Sequence, residues 1–480
     1  MKILLLNPPF LPRYSREQRS PAVTKSGTLY YPMWLSYAAG LLEDNGFECT
    51  LIDGVVPGGE KRLTTYTNSE NPDLIIIDTS TPSIENDLGW AKRLKNMFPG
   101  AFILLVGPHV SALGESIVSE YPWVDGVARG EYEFISLELA QSIRNGKRDL
   151  SGINGLTYRE DGKVKKNKKR RFIRDLDSIP FVSRTYLKHL KHTDYFYAHS
   201  KYPIVAILTA RGCSYGCIYC LYPQTFSGQV YRPRSIESVV EELEFIQGEF
   251  HPLREVMFED DTFVIDEDRT VELCEAIIKS DFNLPFSCNT RPDLSYQTLK
   301  ILKRAGCRLM CVGFESGNQR ILDFIKKETD LGSIERFVRD ARRAGIMIHG
   351  CFMVGTPEDD YRTIMETYRF AERLNTDTAQ FFPIMLYPGT TLYRWAEKNG
   401  YIKVNSFRDW LTREGLHNCI VSTPNLSGDD LVRFCNDARR HYYLRPIYTI
   451  RKLLQSFTNI QEAIRNLKAA GNLLRHLIKY

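Results

Sequence analysis

The 480-residue sequence is short of several things, and each shortage excludes a class of protein. No apolar run approaches the roughly eighteen residues that a membrane-spanning helix needs. The opening Met1-Lys2-Ile3-Leu4-Leu5-Leu6-Asn7-Pro8-Pro9 is too short, and too soon broken by proline, to read as a signal peptide; it reads as a first strand. Eleven cysteines thinly spread over so long a chain do not make a disulfide framework, so the expected location is the cytoplasm. Charge of one sign is also scarce. A net +5, with 43% hydrophobic and 25% charged residues, is ordinary for a globular chain. The one basic run, at 163–171, comes with no RNA-binding module. It is expected to be a solvated hairpin edge, where lysines discourage sheet-to-sheet pairing, and nucleic acid is not an expected partner. Length alone suggests about three domains.

Among the cysteines that are present, three stand close together in Ala210-Arg211-Gly212-Cys213-Ser214-Tyr215-Gly216-Cys217-Ile218-Tyr219-Cys220, directly after an apolar run. Three thiolates on so short a loop can point inward at one metal centre. Iron–sulfur clusters normally take four cysteine ligands, so a cube held by three leaves one iron open to a ligand. Gly212 and Gly216 are expected to let the loop curl. Tyr219 is placed to pack on a bound cofactor. The alternatives are a zinc site or three unrelated buried thiols; zinc more often uses paired C-x2-C knuckles, and no second knuckle is present.

The C-x3-C-x2-C spacing, with an aromatic before its third cysteine, resembles the signature of the radical S-adenosylmethionine (SAM) enzymes. The resemblance implies that Cys213, Cys217 and Cys220 hold a 4Fe–4S cluster. Its open iron would chelate SAM, and reductive cleavage would release a 5′-deoxyadenosyl radical. From residue 204 the chain alternates strands and helices six times, with polar residues gathered at the strand C-termini, as a βα barrel builds its active site. Six units rather than eight resemble the family's partial barrel. The resemblance then puts Glu259-Asp260-Asp261 at the SAM amino group, where the family usually has Gly-Gly-Glu, and Arg291 and Glu315 at its carboxylate and ribose. Ser287, Asn289 and Met353 are further candidates. Any one carboxylate could instead be a helix N-cap. Cys307 and Cys311 read as structural buried thiols.

Residues 1–145 alternate strand candidates at 2–6, 48–52, 74–77, 102–106 and 124–127 with helical patterns, which implies a doubly wound parallel sheet. Ligands on such sheets sit at the strand carboxyl ends. The loops there include Asn7-Pro8-Pro9, Thr79-Ser80, Gly107-Pro108-His109 and Gly130-Glu131-Tyr132-Glu133. They resemble those of the cobalamin-binding domain N-terminal to many radical SAM enzymes. The resemblance implies that Pro8, Thr79, Ser80, Gly107, His109, Gly130 and Glu131 contact cobalamin. The Asp-x-His-x-x-Gly motif that ligates cobalt in other cobalamin proteins is absent, so a protein histidine is not expected on the lower face. His109 could equally be a loop residue bonding backbone, and the domain a scaffold that no longer binds cobalamin.

The expected organisation is α/β: a Rossmann-like B12-binding domain at 1–145, a linker with a basic β-hairpin at 146–200, a (βα)6 partial barrel at 201–400 and a helical region at 401–480. Residues 440–480 carry eight Lys/Arg against Glu462 alone, a net +7 that leaves the rest of the chain at −2. Apolar positions recur along 442–480, so this tail reads either as an amphipathic helix on an anionic membrane surface or as a helix packed on the barrel. The resemblance covers residues 1 to about 440, in the branch that includes anaerobic Mg-protoporphyrin ester cyclase and hopanoid-modifying proteins. It implies cobalamin-dependent methylation of an unactivated carbon, on a small or lipid-like substrate, with a flavodoxin or ferredoxin as reductant. The alternatives are radical cyclisation or rearrangement without methyl transfer, and a non-enzymatic cobalamin or redox sensor.

Overall fold

The computed structural model describes residues 1–450 apart from Arg148, Asn405 and Ile447. Most of the expected amphipathic tail lies outside the described residues. The first sheet begins with β1 (Lys2–Asn7), β2 (Glu48–Asp53), β3 (Leu74–Asp78), β4 (Phe102–Val106) and β5 (Gly126–Ala128). These are parallel, in the order β2-β1-β3-β4-β5. Both faces are covered by helices, so the strands are near-continuous apolar runs. Alternate residues part to the two sides. Ile3 and Leu5 join the core shared with the rest of the molecule, whereas Leu4 and Leu6 pack toward Leu63, Ile84 and Leu88.

The hairpin expected in the linker forms, as β6 (Leu156–Glu160) and β7 (Lys163–Lys166). It is not free-standing. β6 pairs antiparallel with β5, Gly126 opposite Tyr158, so the hairpin closes one edge of a seven-stranded sheet. Burial of Leu156 and Tyr158 decides this, while β7 leaves its lysines outward.

The second sheet starts at β8 (Ile204–Ile207). A short ribbon follows, β9 (Ala210–Arg211) antiparallel to β10 (Arg232–Pro233). Then come β11 (Glu255–Phe258), β12 (Phe286–Thr290), β13 (Cys307–Glu315), β14 (Met347–Val354) and β15 (Thr378–Pro383). The six long strands are all parallel, ordered β15-β14-β13-β12-β11-β8: the six-unit partial barrel. Intervening helices are sharply bounded. Asp330 caps helix Leu331–Ala344 by accepting from the Ser333 N–H, and Gly345 ends it at φ +78°. Helix Gly428–Leu444 lies along β15 at one sheet edge, with Tyr443 OH donating to the Ala379 carbonyl. Among the described residues no helix is long and apolar enough to cross a membrane.

Candidate active site

One cavity of about 1480 Å³ opens over the barrel strands. Period-two alternation decides what faces it: Cys311, Gly313 and Glu315 from β13, and His349, Cys351 and Met353 from β14, line the cavity, while Met310, Val312 and Phe314 are buried in the core. Cys311 is therefore half-buried on the open side of its strand rather than a fully buried thiol. Cys307 is core.

The cysteine loop forms the cavity's β8 side. Gly212 sits at φ +81°, and a Cβ there would lie 2.2 Å from the Val230 carbonyl oxygen, so only glycine fits. Gly216 has ordinary room and no such demand. The loop is fastened by groups that the sequence does not single out. Gln224 Nε2 donates to the carbonyls of Cys217, Ile218 and Cys220 at 3.2, 3.0 and 2.9 Å, and its Oε1 accepts from the Thr391 N–H at 2.8 Å. Asp261 accepts from the Gly212 N–H at 3.1 Å and from Ser227 Oγ at 2.8 Å.

Cys213, Cys217, Tyr219 and Cys220 all line the cavity. Burial pushes the Cys213 thiol up to about 11 and Cys220 well above the ordinary thiol range, with Asp261 adding to both. Thiolates there need a metal centre to take up their charge. Among the described residues no His, Cys, Asp or Glu group is drawn together tightly enough for a single ion. Three cysteines on one loop are the donor set that holds a 4Fe–4S cube with one iron open.

Beside the loop, Glu259 keeps one carboxylate oxygen buried and unpartnered, while the other accepts from Asn289 at 2.9 Å and Arg19 at 3.3 Å. That free oxygen fits an ammonium group such as the one SAM carries. Arg19 comes from the segment after β1 and also donates to the carbonyls of Glu259 and Asp260, at 3.1 and 2.6 Å. No periodicity announces it. Asp260 itself is buried beneath the cavity, accepting from the Thr209 N–H and hydroxyl. Ser287 is likewise buried, sharing a 3.1 Å hydrogen bond with Ser200, which takes the cavity-facing place.

Arg291 lines the cavity, but its guanidinium stacks on Tyr215 at 3.6 Å, pairs with Asp293 at 2.9 Å and donates to the Lys327 and Glu328 carbonyls. Glu315 sits at φ +63° beside a register shift between β13 and β14, a strained conformation that swings its carboxylate into the cavity. There it accepts from Lys327 Nζ at 3.0 Å and from the Tyr219 phenol, whose own proton is held by burial and by this carboxylate. Lys327 is a further member that the sequence does not announce.

The loops of the first sheet lie elsewhere. None of Pro8, Thr79, Ser80, Gly107, His109, Gly130 and Glu131 lines the large cavity. Tyr14 OH meets Ser80 Oγ at 2.7 Å, and Thr79 Oγ1 donates to the Val106 carbonyl at 2.7 Å. The carbonyl of Pro9, next to Pro8, accepts from Asn86 and Trp90. Gly107, at φ +112°, packs against the Thr79 carbonyl, and the Gly130 N–H donates to Ser111 Oγ. His109 Nδ1 is 3.1 Å from Thr81 Oγ1, its ring meets Phe407 edge-on, and burial pushes it down to about 3, so it is neutral. Glu131 is fully engaged by the bidentate guanidinium of Arg232, at 2.8 Å to each oxygen, and by the Ile173 N–H. Asp78 Oδ2, His109 Nε2 and Tyr132 OH are left buried without a partner in this half of the molecule. Unpartnered polar atoms of this kind fit cobalamin, which is ringed by carboxamides.

A doubly wound sheet joined to a six-stranded partial barrel with a three-thiol loop defines a cofactor-using α/β enzyme. Residues 207–371 match the Radical SAM superfamily, and residues 19–140 match the B12 binding domain. An uncharacterized methyltransferase (PH0819) of Pyrococcus horikoshii is 30% identical over 471 residues, 97% of this chain and 98% of its own length. The anaerobic magnesium-protoporphyrin IX monomethyl ester cyclase of Rubrivivax gelatinosus is 27% identical over 76% of this chain and 66% of its own. In fold, the chain is similar to the radical SAM methyltransferase TsrM of Kitasatospora setae, solved with cobalamin and a [4Fe-4S] cluster. The TM-score is 0.69 at 17% identity, over 93% of this chain and 89% of that one. The chain belongs to the radical SAM enzymes that carry a B12-binding domain. Its cofactors are a 4Fe–4S cluster, SAM and cobalamin.

Proposed function

We propose that this enzyme methylates an unactivated carbon of a small molecule bound in the barrel cavity. The observation that carries the reading is the continuity of that cavity: the thiol loop, the free Glu259 oxygen and a wide apolar space beyond them share one volume. When bound, the cluster, SAM and cobalamin supply the radical and the methyl group, as cofactors carry hard chemistry elsewhere. The chain's own residues bind and orient. Cys213, Cys217 and Cys220 would hold the cluster. Glu259 would take the SAM amino group, with Arg19 and Asn289 holding its carboxylate in place. Glu315, with Lys327 and Tyr219 around it, would face the ribose, and Met353 would bound the adenosine. Arg291 would brace the loop beside the cluster rather than reach SAM with a free fork. Pro8, Thr79, Ser80, Gly107, His109 and Gly130 would border cobalamin.

Support comes from the methyltransferase-named relative spanning nearly the whole chain. The cyclase relative favours a second reading, radical cyclisation without methyl transfer. Products separate them. Anaerobic turnover with SAM, cobalamin and a reducing flavodoxin or ferredoxin should release S-adenosylhomocysteine together with 5′-deoxyadenosine if methyl groups are consumed. Release of 5′-deoxyadenosine alone would move the assignment to cyclisation or rearrangement. A lipid-like substrate and contact of the tail beyond residue 450 with an anionic membrane extend the proposal, since Tyr442 and Tyr448 are buried against the barrel, and co-sedimentation with anionic vesicles tests the contact.

A further inference from the structure

At the cavity's other edge stand two cations that have no ion-pair partner among the described residues. Lys25, from the segment following β1, donates to Asn436 Oδ1 at 2.6 Å. Arg439, on helix Gly428–Leu444, reaches the same oxygen at 3.4 Å and the Phe381 carbonyl at 3.0 Å. Both acceptors are neutral. Among the described residues no carboxylate lies within ion-pair distance of either side chain, and both line the cavity. Arg439 thus spends few of its five N–H donors, and two like charges converge on one amide oxygen. Their repulsion is felt: burial and Arg439 push Lys25 down to about 8, and burial lowers Arg439. Half-buried cations that share one neutral acceptor leave room for an anion between them, and a guanidinium–ammonium pair fits an oxyanion. The cysteine loop and Glu259 follow β8 and β11, at the other end of the sheet order from β15 and its helix, so the pair stands on a different part of the cavity lining from the place proposed for the SAM amino group. The same cavity is lined by Tyr30, Phe381, Met385, Tyr387 and Tyr443.

We propose that Lys25 and Arg439 form an oxyanion subsite for the substrate, a molecule with a carboxylate or phosphate group and an apolar body lying along the aromatic wall toward the cysteine loop. The proposal rests on the radical-enzyme reading of the same cavity. Its test needs no turnover. The full, cluster-loaded chain is treated with a water-soluble acetylating reagent while inorganic phosphate or acetate is titrated at constant ionic strength, and modification of each lysine is followed by mass spectrometry. One of the two anions should slow acetylation of Lys25 at least fivefold and saturably, leaving exposed Lys147 unaffected, and should lose that effect in R439Q. Protection by phosphate points to a phosphate-bearing substrate, and protection by acetate to a carboxylate. If R439Q misfolds, K25M supplies the comparison: the protecting anion should raise Tm in wild type and not in K25M. No protection by either anion, or equal protection in R439Q, overturns the subsite. Wild-type SAM cleavage, measured separately, reports on the radical-enzyme reading and can fail or stand independently.

Discussion

At the scale of single residues, the most consequential groups are buried polar ones whose partners come from far along the chain. Asp78 ends β3 with one oxygen unpartnered. Burial pushes it up to about 8, Arg16 opposes the shift, and Asp87 adds to it. The sign follows from linkage. A carboxyl raised from its unfolded value of about 3.9 contributes stability that is full below that pH and is lost as pH rises toward about 8. Asn, which never ionises, avoids that loss. In cobalamin-free protein, Asp78→Asn is therefore expected to gain about 5 °C in Tm over wild type between pH 4 and pH 8. A gap between the two proteins that does not change with pH would mean that Asp78 is already ionised in the fold. The residues at this scale were partly legible. That Cys213, Cys217 and Cys220 come together on one loop could be read from spacing alone, whereas Arg19 and Lys327 carry no local pattern.

At the scale of elements, the cysteine loop is held less by its own residues than by the short helix that follows. Gln224, on helix Leu221–Thr225, spans three loop carbonyls and ties them to Thr391. Gln224→Leu keeps the volume but removes the bridge from the loop carbonyls to Thr391; Cys217 and Ile218 keep the N–H groups of Cys220 and Leu392 as donors, so the loss is about 1–3 kcal/mol in all. Reconstituted Gln224→Leu should hold less than about half the wild-type iron while the far-ultraviolet spectrum stays unchanged. Full iron loading would show that the cysteines alone shape the loop. Strand identities were legible because parallel strands are apolar runs. The place of the hairpin was not: local pattern predicts β6 and β7, but only the open edge of β5 tells where they dock.

At the scale of the whole molecule, the two sheets are joined by buried ion pairs. Arg232 of β10 grips Glu131 of the first unit, and Arg211, lying over Trp34 and Tyr37, pairs with Glu133 at 2.6 Å and stands 3.6 Å from Glu131. Removing one partner of a buried pair strands the other charge, at roughly 3–5 kcal/mol. Arg232→Met should lower stability by about that amount and split the calorimetric transition in two. The double variant Arg232→Met/Glu131→Gln should recover part of the loss. A single transition at the wild-type temperature would mean that the apolar core alone couples the halves.

The sequence by itself determined the three-cysteine loop and the two βα series, because each is written in local spacing: C-x3-C-x2-C on a loop, apolar runs of strand length, polar residues after each strand; the cofactor class came through the family resemblance that these patterns carry. Tertiary structure alone decided which polar groups meet. Glu131 is drawn onto Arg232 because burial leaves a carboxylate no cheaper state than a bidentate pair. Asp260 and Ser287 lie beneath the cavity floor while Glu259 and Asn289 face it. Arg19 and Lys25 enter a cavity built from strands hundreds of residues away. Such meetings depend on how two sheets pack, and no window of sequence contains that information.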